Sequence, residues 1–196
     1  MTDEKLPSLS GELAAGIRQA LGNIPQDLLG IAVGDWLEEK RKINRERLEE
    51  NTKKILKERG IQSDQQVASP KLFIAICEAA MDEDRDALQN LWARLLAAAV
   101  DKSRADLVRT NYIDIVKQLD PIDALVLSEL SGSQPNTNRN LRNEIAGELG
   151  LPPDQIEVSL LNLHRLGLVA PVFDLKIESG QVYLATLGRE LLRALN

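Results

Sequence analysis

Residues 159–192 read SLLNLHRLGLVAPVFDLKIESGQVYLATLGRELL, and their pattern decides the fold of the C-terminal part. Ile156, Leu160, Leu163 and Leu166 recur at helical spacing, and Gly167 stops the run. Two β-like runs, 168–177 and 182–186, flank the turn ESGQ, and Thr186 offers a cap to a closing helix carrying Leu187, Leu191 and Leu192. Two short helices precede this stretch. One spans 121–130 with Ile122, Leu125 and Val126; the other carries Leu141, Ile145, Ala146 and Leu149 and ends at Gly150. The polar, turn-rich SGSQPNTNRN lies between them. Three helices, a β-hairpin and a closing helix make the order of a winged helix.

A winged helix that reads DNA places its third helix in the major groove and its cations on phosphates. The charges here run against that use. The chain carries −6, and from Leu119 onward ten carboxylates face six cations, so that part holds −4 and the front −2. The outward positions expected on the third helix are Asp154, Gln155, Glu157, Ser159, Asn162 and Arg165, with Asp154 and Glu157 at the end a phosphate would meet first. Nucleic-acid binding would have to rest on Arg139, Arg142, Asn162, Arg165 and Lys176, a thin supply for a sequence-independent phosphate contact. A protein partner suits Asp154, Gln155, Glu157, Asn162 and Arg165 better.

The front is helical. Ser10 caps a helix with Leu13, Ala14, Ile17 and Leu21 closed by Gly22, and Pro25 starts another with Leu28, Leu29 and Ala32. Asp35 is expected to open a long charged helix whose stripe is Trp36, Leu37, Ile43, Leu48, Ile55 and Leu56, ending at Gly60. Glu38 with Lys42, Glu49 with Lys53 and Glu50 with Lys54 add i,i+4 pairs. After an aperiodic loop, Ser69 and Pro70 signal a helix with Leu72, Phe73, Ile76, Cys77 and Ala80 on one side. Asp82 is then expected to cap a helix that buries Leu88, Leu91, Trp92, Leu95 and Leu96, and a last front helix spans 106–119. Both Trp36 and Trp92 are expected in the core.

Chemistry-bearing patterns are scarce. With 43% hydrophobic and 28% charged residues the composition is that of a soluble globular chain, long enough for two units. No apolar run, 28–33 included, approaches the roughly 20 residues of a membrane span. The polar start MTDEKLPSLSGE lacks the apolar segment of a secretory signal, so the expected compartment is the cytoplasm. One cysteine, Cys77, and one histidine, His164, rule out a Cys/His zinc site, and no cofactor is expected. His164 sits beside an apolar line and reads as packed or half-buried, with no triad spacing around it. The acidic cluster Glu78, Asp82, Glu83, Asp84 and Asp86 reads as helix capping rather than a metal site. The run KRKINRER, with its interleaved glutamates, reads as a solvated face. Gly30 and Gly34 lack the Lys and Ser/Thr of a phosphate loop. No nucleophile stands out, so no enzyme is expected.

The segments VGDWLEEKRKINRERLEENTKKILKERGI, SPKLFIAICEAAMDEDRDALQNLWARLLAAAVD and IDIVKQLDPIDALVLSEL, in that order, resemble the abortive infection alpha (Abi-alpha) family over residues 28–130. The resemblance implies a bacterial, mostly helical protein of a defence in which an infected cell stops phage production. It carries over no catalytic residue.

The expected architecture is therefore mainly α. A multi-helix domain over 1–118 with one long charged helix precedes a winged helix with a small β-hairpin over 119–196. The expected function is a non-enzymatic phage-defence component working through protein contacts, with homo-oligomerisation left open. A DNA-binding regulator is the second reading, and a membrane effector acting through the amphipathic segment 13–37 the third.

Overall fold

The computed structural model describes residues 26–61, 69–131, 140–172 and 176–196. Eight α-helices and one two-stranded antiparallel sheet are found among them, so the chain is mainly α, with its small sheet near the C-terminus. Two compact units divide at Lys40 and Arg41. Of the first, the described residues are the opening turns of helix α1 (Gln26–Glu58). There Trp36 is exposed, with Lys40 Nζ 5.9 Å from its ring centroid.

The second unit, residues 41–196, holds the remainder of α1 and then α2 (Pro70–Met81), α3 (Asp86–Val100), α4 (Thr110–Val116), α5 (Pro121–Ser131), α6 (Leu141–Leu149) and α7 (Pro153–Arg165). Strands β1 (Val169–Pro171) and β2 (Val182–Leu184) follow, and α8 (Thr186–Leu195) closes the chain. The strands pair Val169 with Leu184, Ala170 with Tyr183 and Pro171 with Val182. One apolar core runs through the unit from Leu48 to Leu195, with Trp92, Tyr112, Leu127, Ile156 and Leu163 among its fully buried members.

Several local signals act as read. Ser69 Oγ accepts from the Leu72 N–H and Pro70 takes the first helical position of α2. Gly60 ends α1 at φ 70°, with its N–H on the Lys57 carbonyl and the Ile61 N–H on the Leu56 carbonyl, the paired bonds of a Schellman motif. An added Cβ at Gly60 would meet nothing within 4 Å, so only the left-handed backbone opposes it. Gly60→Ala should lower stability by about 1 kcal/mol in a urea melt.

The front departs from expectation in five places. Helix α1 runs unbroken from Gln26 through Gly34 and Asp35, so Asp35 opens nothing; one glycine weakens a helix by about 1 kcal/mol and does not end it. Its buried stripe is Asn44, Leu48, Thr52 and Leu56, while Trp36, Leu37 and Ile43 are exposed, which takes Trp36 out of the core. The polar members of that stripe are satisfied: Asn44 Nδ2 donates to the Met81 carbonyl at 2.9 Å and Thr52 Oγ1 to the Leu48 carbonyl at 2.6 Å. Asp82 does not cap α3, which starts four residues later behind Arg85; it is the C-cap of α2 and takes Arg41 Nε at 2.7 Å.

The KRKINRER run is accordingly no uniform solvated face. Arg41, Asn44 and Arg47 grip the α2–α3 turn, Arg47 through Asp86 and the Asp84 carbonyl, and Lys42, Arg45 and Glu46 stay outside. The helix expected over 106–119 shortens to a 3-10 turn at Ala105–Leu107 and the two turns of α4. Near the other end, the closing helix has Ala185 at its N-cap with no side-chain bond, so Thr186 does not cap it. The expected helix from Ser10 to Gly22 lies outside the described residues, as does most of the segment 13–37.

Candidate functional site

Helix α7 is built as an amphipath with Pro153 in its first turn and a Schellman end at Gly167, where the Leu168 N–H reaches the Leu163 carbonyl at 2.9 Å. Ile156, Ser159, Leu160 and Leu163 point into the core. Ser159 was expected outward; the helical turn instead puts it on the line of Ile156 and Leu163, only 3% exposed. The outer stripe is Asp154, Val158, Leu161 and Arg165, spaced four, three and four residues apart. Val158 is 68% exposed and Leu161 40%, a pair of apolar side chains that the charge-centred reading of this helix passed over.

The expected contact residues fall into two groups. Asp154 and Gln155 are exposed at the start of α7. Glu157 is half-buried and receives Arg142 Nη1 of α6 at 2.5 Å, so this pair binds α6 to α7. Asn162 is half-buried and engaged inward, and the exposed Arg165 is held beside it. Asn162 Nδ2 donates to Asp123 Oδ2 at 2.7 Å and to the Gln118 carbonyl at 3.2 Å, while its Oδ1 accepts Arg165 Nη2 at 2.8 Å. Arg165 Nη1 reaches Gln118 Oε1 at 3.1 Å. Lys176 is exposed between the strands, and Arg139 lies outside the described residues.

Asp123 is the centre of this network. It is 2% exposed, and the same Oδ2 accepts the Asp120 N–H at 2.8 Å, so its carboxylate caps α5 and anchors α7 at once. The groove beside it, about 560 Å³, is lined by Asp120, Ile122, Asp123, Asp154, Gln155 and Val158 among others. Arg85 donates to Asp120 at 3.0 Å while also holding both oxygens of Glu83, and those bonds keep its guanidinium proton bound even more firmly than usual. Asp123 and Asp154 leave the groove acidic.

His164 is exposed, which corrects the packed position expected for it: it follows Leu163 around the helix onto the solvent side. Its Nδ1 stands 3.1 Å from the Val169 carbonyl. Burial, reinforced by Glu78, pushes the Cys77 thiol above its usual range and away from thiolate chemistry. Among the described residues no group of three or more His, Cys, Asp or Glu side chains is placed to hold a metal, and no helix is long and apolar enough to cross a membrane.

The family model for abortive infection alpha matches residues 43–194. The chain belongs to that family. The Abi-alpha match starts inside the long helix rather than at residue 28, and it continues past residue 130 through α7, the hairpin and nearly all of α8. The family match thus takes in the C-terminal elements as well. No curated protein and no solved structure matches the chain. Abi-alpha membership ties it to abortive infection, a defence against phage.

Proposed function

We propose that this Abi-alpha chain is a non-enzymatic defence component that holds a partner protein against the outer face of α7. The order of elements from α5 to α8 supports reading this part as a winged helix turned from nucleic acid to protein. The observation that carries the docking role is the exposed pair Val158 and Leu161 beside an acidic groove. Solvent-facing aliphatic side chains on a helix that could carry charges are a feature of contact surfaces. The surface calls for a partner segment that presents an apolar side chain next to Lys or Arg, since the exposed Asp154 supplies the opposite charge.

Phosphate is a poorer occupant. Arg142 is drawn to Glu157 and Arg165 to Asn162 and Gln118, so their charges already have neighbours, and Asp154 stands at the leading end of the helix.

The test pairs Val158→Lys with Leu161→Lys in cells challenged with phage. Both sites are exposed, so the double variant should melt within about 2 °C of the parent. Its protection should fall about tenfold or more, together with loss of a partner whose contact segment is basic and apolar. Full protection by a folded double variant would defeat the docking face. A gel shift at low salt that Arg165→Glu abolishes would move the role to DNA.

A further inference from the structure

Far from α7 in sequence, four arginines gather where α8 ends. Arg59 follows the last turn of α1, Arg94 lies on α3, Arg104 precedes the 3-10 turn, and Arg193 lies on α8. A cleft of about 440 Å³ opens between two of them, lined by Ser103, Arg104, Leu107, Arg193 and Asn196. Arg59 Nη2 donates to the Leu195 carbonyl at 2.7 Å and Arg94 Nη1 to Asn196 Oδ1 at 3.0 Å, so both stand against the residues that close α8.

The two arginines that line the cleft keep their donors largely uncommitted. Arg104 Nε is 3.5 Å from Asp101 and Arg193 Nη1 is 3.7 Å from Glu190, both beyond ordinary N–H···O distances. Asp101 Oδ1 accepts the N–H and the hydroxyl of Ser103 at 2.9 and 2.7 Å, and its Oδ2 is the oxygen that faces Arg104. Among the described residues, Asp101 and Glu190 stand beside Arg104 and Arg193, while Arg59 and Arg94 bond neutral oxygens. Arg59 shows the strain of this crowding. Its Nη1 is buried with no partner among the described residues, and burial, then Arg104 and Arg94 against the opposing pull of Asp101, weakens its hold on its proton.

We infer that Arg104 and Arg193, backed by Arg59 and Arg94, form a binding site for a phosphate-bearing small molecule. Two guanidinium forks with free donors on one cleft match the several oxygens and double charge of a phosphoryl group, which single ammonium groups match less well. The cleft falls within the roughly 300–1,000 Å³ of small-ligand sites. A bound polyanion would also relieve the repulsion among Arg59, Arg94 and Arg104. Leu107 supplies an apolar wall, suiting a phosphate attached to an organic body. This site is separate from the α7 face, and its test does not depend on that reading.

The full chain should be titrated with tripolyphosphate and with ADP by calorimetry, against sodium chloride at matched ionic strength, and sedimented with phosphatidylglycerol vesicles. The expected result is a Kd below about 1 mM for the soluble phosphates, with a melting temperature that rises with their concentration. Arg104→Gln with Arg193→Gln should weaken binding about tenfold or more, while Arg45→Gln on α1 should leave it unchanged. Vesicle binding lost in the double variant, without a response to soluble phosphate, would assign the phosphoryl group to a lipid head. The site is overturned if neither arm exceeds the salt control, or if a folded double variant binds as the parent does.

Discussion

Gly188→Ala should destabilise the protein by about 3 kcal/mol, lowering the melting temperature by about 6–12 °C for a chain of this size. Helix propensity alone predicts the opposite, because alanine is favoured over glycine within a helix by about 1 kcal/mol. Sterics decide the sign. A Cβ built at Gly188 would overlap the carbonyl oxygen of Leu168 and crowd its carbonyl carbon and Cα. That backbone has nowhere to go: the Leu168 N–H is bonded to Leu163 at 2.9 Å, its carbonyl accepts the Ala185 N–H at 2.9 Å, and the next residue pairs with Leu184. Relief would have to come from lifting α8, whose Leu191, Ala194 and Leu195 are buried. A circular-dichroism melt checks this. A variant that melts at or above the parent would show that α8 does not press on Leu168 as described.

The same close approach marks what pattern reading reaches and what it does not. Start and stop signals are local chemistry, so Ser69 with Pro70, and Gly60, Gly150 and Gly167, all act where their sequence says. The leucine spacing of α7 and the hairpin after it are likewise local, although the strands shorten to three residues each. Burial is not local. On α1 the side chains that face the core are fixed by what packs against it: Asn44 enters because its amide finds the Met81 carbonyl at the α2–α3 turn, and Thr52 because its hydroxyl is satisfied by the Leu48 carbonyl of its own helix. Hydrophobicity alone selected Trp36 and Ile43, which are exposed.

The candidate sites follow the same division. Asp154 and Gln155 are exposed as their helical phase requires. Asn162 is drawn inward by the Gln118 carbonyl and by Asp123 of α5, while Arg165 stays exposed and is held along the surface by Asn162 and Gln118. Val158 and Leu161 were legible in principle, since they sit on the outer stripe once Ile156, Leu160 and Leu163 are assigned inward. The arginine cleft was not, because Arg59, Arg94, Arg104 and Arg193 are scattered along the chain and only packing assembles them.

That inward turn of Asn162 makes the second large effect. Asp123→Ala should cost about 3 kcal/mol, because it removes a buried carboxylate that receives both the Asp120 N–H and Asn162 Nδ2 and leaves those donors without their shared acceptor. Asn162→Ala should cost less, since Asp123 keeps its bond to the α5 cap. In a urea double-mutant cycle the two sites should couple by about 1–2 kcal/mol, as residues in one hydrogen-bonded network do. Independent behaviour, with costs that simply add, would mean that the 2.7 Å contact carries no stability of its own. The distinction bears on function. If the coupling is found, Asn162 holds α7 in place from within, and loss of defence on its replacement reports a loosened α7. The Val158 and Leu161 substitutions then remain the ones that report the contact itself, because no core packing depends on them.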